Sequence, residues 1–303
     1  MGKRMETEIC GVKLKNPVIA ASGTFAFGRE FEPYLSLAQL GGISLKGLTL
    51  EPRQGNPSPR VAETPSGMLN SVGLQNPGLE AFLREDMPRL EQAGTALIAN
   101  VAGSTTEDYV AMAQGLQNAK IDIFEMNVSC PNVKEGCVGF GATPEAVYAI
   151  TRAVKPHCKQ PLMVKLTPNT VDIAANARAA EEGGADAVSL INTLTGMAVD
   201  VDTRRPILAN ITGGLSGPAV KPVALRMVWQ VAQAVKIPVV GMGGIMTGED
   251  AVEFLLCGAA AVMVGTANLV YPDACLRVLQ GMEAYMERHG IHTVGELVGQ
   301  LKI

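Results

Sequence analysis

Aromatic residues make up only 4% of this 303-residue chain, and there is a single tryptophan. Hydrophobic residues reach 47%, so the core has to be aliphatic, built from Val, Ile, Leu, Ala and Met. Basic runs are missing as well, and the formal net charge is −4. Nucleic acid and anionic membrane surfaces are therefore not expected as partners. The opening segment, "MGKRMETEICGVKLKNP", has no apolar stretch long enough for a signal peptide or a membrane anchor. A cytoplasmic protein is expected.

Cysteine is sparse and scattered. Six lie at 10, 130, 137, 158, 257 and 275, none of them in a CxxC, and none of the three histidines makes a close metal-type pairing with a cysteine. A disulfide framework is not expected at this length, nor is a zinc or iron–sulfur site within the chain. Most of these thiols read as small buried hydrophobes. Cys257, in "AVEFLLCGAA", fits that reading well.

What the chain does have is eight short apolar runs with strand character, at 17–22, 42–49, 96–103, 123–129, 161–168, 187–193, 238–244 and 261–267. They are near-continuous rather than alternating, as expected of parallel strands covered on both faces. Helix-length segments with apolar spacing near 3.6 lie between several of them, such as "TPEAVYAITRAVKPH" and "TVDIAANARAAEE". One junction recurs in "LEQAGTALIANV", "AEEGGADAVSLI" and "FLLCGAAAVMVG". Each is a helix end, a glycine suited to a left-handed cap, a small residue and a strand. Repeated units of this kind predict a closed (β/α)₈ barrel, a single domain over residues 1–303, with an open doubly wound sheet as the alternative. The intervals 50–95 and 194–237, rich in Pro, Gly and Asn, are expected as insertions after strands 2 and 6 that cover the mouth.

Barrel chemistry sits at the C-terminal strand ends. Those ends read Ser22, Lys46, Asn100, Asn127, Lys165, Asn192 with Thr193, Gly243 with Gly244, and Gly265 with Thr266. Any one Asn could simply cap a helix; so many amides and amines together call for a ligand. "GMGGIMTGEDAVEFL" and "VGTANLV" place glycine-rich backbone ahead of a helix after strands 7 and 8, the barrel's habitual phosphate site. Gly217, in "TGGLSGPAV", could add another close backbone approach. Lys46 and Lys165 lie inside apolar runs, where an unpaired lysine is a poor core residue. Two ammonium groups suit a ligand that becomes anionic, such as a reduced flavin. A Schiff-base lysine stays open at this stage. A last stretch, "EMNVSCPNVKEGCVGFG", ends an apolar approach in Asn127, Ser129 and Cys130 and then loosens into glycines. It does not read as packing material.

Taken together, "ASGTF", "SLKGLT", "NSVGLQNPG", "NVSCPN", "VKLTPN", "INT", "GMGGI" and "VGTAN" resemble class 1 dihydroorotate dehydrogenase, from about residue 6 to the C-terminus. "NVSCPNVKEGCVGFG" is similar to the NAD-linked B type in particular. The resemblance implies an FMN across the barrel mouth, its phosphate on Gly243, Gly244, Gly265 and Thr266. It implies further that Ser22, Lys46, Gly47, Asn100, Asn127, Lys165, Ile191 and Gly217 hold the flavin. The substrate, dihydroorotate, would be held by Lys46, by Asn70, Ser71, Val72, Gly73 and Leu74, and by Asn127, Asn192 and Thr193. Asparagine amides offer both donor and acceptor to a cyclic ureide. Cys130 matches the family's base, which takes the C5 proton while a hydride leaves C6; a thiol near its ordinary pKa suits that work. Cys137 reads as incidental.

The B type also implies a partner subunit carrying FAD and an iron–sulfur cluster, which passes electrons to NAD in a heterotetramer of two catalytic and two electron-transfer chains. Two alternatives stand beside it: a fumarate-using A type with the same half-reaction, and a flavin-free barrel that binds a phosphorylated metabolite.

Overall fold

A computed structural model describes residues 3–129 and 139–303. Cys130 and Cys137 lie outside these described residues. Each of the eight apolar runs contains one strand of a closed, all-parallel barrel. In chain order these are β1 (Val18–Ala20), β2 (Gly42–Ser44), β3 (Ala96–Val101), β4 (Ile123–Asn127), β5 (Leu162–Lys165), β6 (Ala187–Leu190), β7 (Val239–Met242) and β8 (Ala261–Val264). Each pairs with its chain neighbour, and β8 closes on β1 through Val262 opposite Val18. The open-sheet alternative is excluded by that closure.

Packing explains why the runs do not alternate. Outward residues such as Val18, Ile43, Phe124 and Val188 join the layer shared with the helices. Inward residues, among them Ile19, Ile98, Ile123, Met163, Val240 and Met263, fill the barrel itself. Both faces are dry, so both are mainly aliphatic, although the inward layer also holds the buried polar side chains of Ser44, Asn100, Glu125 and Ser189. The lower end is plugged by an N-terminal hairpin, Thr7–Ile9 paired with Val12–Leu14. Its Ile9 and Leu14 belong to the inner core.

The long helices among the described residues are α1 (Thr106–Leu116), α2 (Pro144–Val154), α3 (Ile173–Glu182), α4 (Lys221–Ala232), α5 (Gly248–Leu256) and α6 (Ala274–Arg288), of which α2, α3 and α5 sit where the sequence placed them. Thr143 caps α2, its Oγ1 accepting from Ala146 N at 3.3 Å, and Asp172 caps α3 in the same way at 3.0 Å. The recurring helix–strand junctions use Gly94, Gly184 and Gly258 at φ of 66°, 99° and 105°, left-handed conformations that a side chain would oppose.

The strands stop sooner than the apolar runs do. β2 ends at Ser44, so Lys46 is not inside a strand as the sequence suggested. The ladder breaks because the Lys46 N–H turns away to donate to Ala26 O at 3.0 Å, in the loop after β1, and it resumes only at Leu48, which bridges to Val101. Lys165 is the last residue of β5.

The two intervals after β2 and β6 come together. Val61–Thr64 and Gly67–Asn70 from the first form one antiparallel sheet with Leu194–Met197 and Thr212–Ser216 from the second. The join pairs Gly214 with Asn70 and Ser216 with Met68. Hydrogen bonds thus couple the two insertions into one structure.

Candidate active site

A cavity of roughly 390 Å³ lies at the C-terminal ends of the strands. From the barrel it is lined by Ser22, Lys46, Gly47, Asn100, Asn127, Lys165, Ile191, Asn192, Thr193, Gly243, Gly244, Gly265 and Thr266. From the insertions come Asn70, Val72, Gly73 and Leu74. Of the residues singled out in the sequence, Ser71 and Gly217 fall outside this lining. Ser71 is 1% exposed and its Oγ has no hydrogen-bond partner among the described residues, because the loop alternates and turns it inward. Gly217 stands just behind the lining, where a Cβ would come 2.8 Å from Gly67 Cα and 3.6 Å from Thr266 Cγ2.

One end of the cavity is a backbone cradle. Gly243 and Gly244 have φ of 130° and 76°. A Cβ on Gly244 would meet Gly217 O at 2.8 Å and Lys221 N at 2.9 Å. Chain from β7, from the second insertion and from the start of α4 therefore converges to a spacing that only glycine allows. Thr266, after β8, closes the side by donating its Oγ1 to Ser216 Oγ at 2.9 Å. Lys221 turns its ammonium away from the cradle, onto Asp250 and Glu253 of α5.

At the centre stands Lys165, only 5% exposed. Its Nζ has no hydrogen-bond or ion-pair partner among the described residues, although it borders the cavity. A buried ammonium without a partner costs several kcal/mol unless an anion or dipole answers it. The cavity is thus built for a ligand with negative or strongly dipolar character at this point, next to a cradle suited to phosphate. Those are the two demands an FMN makes, and the residues present fit it.

The opposite wall is a line of amides. Asn100 Nδ2 donates to Glu125 Oε2 at 2.6 Å. Asn127 Nδ2 reaches Asn100 Oδ1 at 3.4 Å, and Asn127 Oδ1 accepts from Ser129 Oγ at 2.6 Å and from Ser129 N at 3.2 Å. Asn192 Nδ2 in turn donates to Ser129 Oγ at 2.5 Å. Beneath it, Tyr109 OH donates to the Asn127 carbonyl at 2.8 Å. Ser22 donates its hydroxyl to Leu45 O at 2.6 Å, tying β1 to β2 beside the mouth.

The four described thiols share one character. Burial pushes Cys10, Cys158 and Cys275 up to about 12, and it raises Cys257 as well. None of these four serves as a base near neutral pH.

Comparison with known proteins decides the family. The family described as dihydroorotate dehydrogenase matches residues 4–286. The chain belongs to that family. It is similar to a protein of Alkaliphilus metalliredigens, 58% identical over 98% of both chains. Similar relatives from Geotalea uraniireducens and Bacteroides fragilis are 54% and 53% identical, each over 99% of both chains. All three are named dihydroorotate dehydrogenase B (NAD(+)), catalytic subunit.

Two residues of this family member escaped the sequence reading. Glu125 is wholly buried in β4 and collects three side-chain donors. The signal was present: a carboxylate inside "IFEMNVS" is as foreign to an apolar strand as the two lysines that drew notice. Asn76 was read only as part of "NSVGLQNPG". Its Oδ1 accepts from Thr49 N at 3.2 Å and Gly78 N at 2.9 Å, while Nδ2 donates to Leu74 O at 2.7 Å. It holds Leu74 at φ 57° against the cavity.

Proposed function

We propose that this chain oxidises dihydroorotate to orotate, a step of pyrimidine biosynthesis, as the FMN-holding catalytic subunit of an NAD-linked dihydroorotate dehydrogenase. The observation that carries the reading is Lys165, a buried ammonium with no partner among the described residues, facing the same cavity as the glycine cradle of β7 and β8. Full-length similarity to catalytic subunits so named supports it.

FMN, when bound, supplies the acceptor for the substrate's hydride. The protein's own residues do the rest. The backbone at Gly243, Gly244, Gly265 and Thr266 holds the phosphate through N–H groups, and Gly217 stands behind it. Lys165 answers the charge gained on reduction. Ser22, Lys46, Gly47, Asn100, Asn127 and Ile191 complete the flavin's bed. Lys46 also answers the substrate carboxylate. The loop from Asn70 through Leu74 covers the substrate, whose amide edges meet Asn127, Asn192 and Thr193. Cys130, three residues past the end of β4, takes the C5 proton.

Electrons leave through a partner chain carrying FAD and an iron–sulfur cluster, in an assembly of two catalytic and two electron-transfer chains. Among the described residues no cluster of His, Cys, Asp and Glu is placed to hold a metal, and no helix is long and apolar enough to cross a membrane. We place the protein in the cytoplasm.

The test is reconstitution. With dihydroorotate the isolated chain should reduce artificial acceptors well and NAD poorly, and adding the FAD and iron–sulfur subunit should restore NAD reduction. Cys130→Ala should abolish turnover while FMN content stays near wild type, and Cys130→Ser should work only at higher pH. Efficient NAD reduction by this polypeptide alone would refute the partner. Full activity of Cys130→Ala at neutral pH would refute the base.

A further inference from the structure

Glu125 sits inside the barrel one layer below the cavity and is 0% exposed. Both of its oxygens accept hydrogen bonds. Ser44 Oγ donates to Oε2 at 2.7 Å, Asn100 Nδ2 donates to Oε2 at 2.6 Å, and Ser189 Oγ donates to Oε1 at 2.7 Å. Strands β2, β3 and β6 each send one donor to this carboxylate on β4. A barrel needing only packing would fill the layer with aliphatic side chains, since burying an ionic group in place of well-packed apolar ones contributes little or is unfavourable. The carboxylate therefore calls for a reason other than stability.

The reason lies in what it does to Asn100. An amide can present either its nitrogen or its oxygen, and the two ends differ in chemistry. A carboxylate only accepts, so Asn100 must turn its nitrogen down. Its oxygen then faces the mouth, where Oδ1 lies 2.9 Å from the position of a Cβ on Gly47, a cavity residue. The far end of the chain of amides demands the same sense. The Ser129 backbone N–H only donates, and it donates to Asn127 Oδ1 at 3.2 Å. That leaves Asn127 Nδ2 for Asn100 Oδ1, at a longer 3.4 Å. Both fixed ends agree, and Glu125 provides much the shorter hold on Asn100.

We infer that Glu125 is a positioning residue that locks Asn100 with its carbonyl oxygen at the cavity wall, so that the site demands an N–H-bearing ligand edge there. The inference rests on the flavin reading only in the choice of probe. Its first test uses FMN binding to the deflavinated full chain, followed by flavin fluorescence, together with thermal unfolding. Glu125→Gln keeps an acceptor for Asn100 Nδ2, and the Ser189 hydroxyl can rotate to accept from the new amide. FMN affinity should stay within about threefold of wild type. Glu125→Met keeps the length and removes the acceptor, and affinity should fall about tenfold or more.

A double-mutant cycle separates positioning from general support. In an Asn100→Ala background the Glu125→Met substitution should cost almost nothing further, because the residue through which it acts is gone. Additive losses in that cycle would overturn the inference. So would a tenfold loss in Glu125→Gln at unchanged thermal midpoint, and this arm decides the matter alone if Glu125→Met does not fold. Failure of wild-type protein to bind FMN would instead strike the proposed function and is read separately.

Discussion

Asn192 Nδ2 donates to Ser129 Oγ across 2.5 Å, tying the loop after β6 to the residue that precedes Cys130. Ser129 is 5% exposed and passes the constraint on, donating to Asn127 Oδ1 at 2.6 Å. One hydroxyl thus aligns two amides proposed to meet the substrate, immediately before the proposed base. Ser129→Ala should weaken orotate binding about tenfold, since the buried Asn127 and the half-buried Asn192 each lose a hydroxyl partner. Thermal stability should fall by only about 1–2 kcal/mol. Titration of the flavin spectrum with orotate checks this, and unchanged affinity would remove Ser129 from the site.

Lys165 gives a result that runs against ordinary expectation for a buried residue. Lys165→Met removes an ammonium that has no partner among the described residues. The flavin-free protein should be at least as stable as wild type. FMN affinity should drop by about tenfold to a hundredfold, the worth of a hydrogen bond to a charged group. Calorimetry of the flavin-free protein and a binding titration read the two effects independently.

The cradle can be closed with one methyl group. Gly244→Ala places a Cβ 2.8 Å from Gly217 O at φ 76°, so steric and conformational strain act together. The expected cost is about 1–3 kcal/mol of stability. FMN content of the purified variant should be greatly reduced.

These three sites were not equally legible beforehand. The glycine loops after β7 and β8 and the lysine of β5 stand out in sequence because each residue type breaks the pattern around it. The barrel was legible for the same reason: apolar runs recur, with glycine at three of the helix–strand junctions. The extent of the strands was not, because hydrophobicity continues to residue 49 while the continuous strand ends at Ser44 and pairing returns only as a bridge at Leu48, and only the loop after β1 determines where Lys46 turns. Ser71 and Gly217 were assigned by motif, which records neither the direction of the Ser71 side chain nor how close the backbone at Gly217 comes to the cavity. Glu125 was visible as a carboxylate in an apolar strand, but its role was not, because its partners Ser44, Asn100 and Ser189 come from three other strands. Nothing local in "IFEMNVS" shows that they meet.

Acid stability should carry the mark of Asp250. Desolvation raises its pKa, but hydrogen bonds from the Lys221 ammonium and from the N–H groups of Met246 and Thr247 outweigh that, and its carboxyl is held below the usual 3.8. A depressed folded pKa contributes stability that is fully present above 3.8 and is lost as pH falls through the folded value. Asp250→Asn should lower stability near pH 7 by about 1 kcal/mol, partly through the weakened cap of α5. It should also unfold less steeply than wild type below about pH 4. Urea midpoints measured at neutral and acid pH would test both halves.

The most direct measurement is an anaerobic titration of the purified chain with dihydroorotate, followed in the visible spectrum. The protein should be yellow, and its flavin absorbance should bleach as orotate appears, one orotate per flavin reduced. A colourless protein that takes up no FMN would contradict the proposed function at its root. So would bound flavin that dihydroorotate fails to bleach.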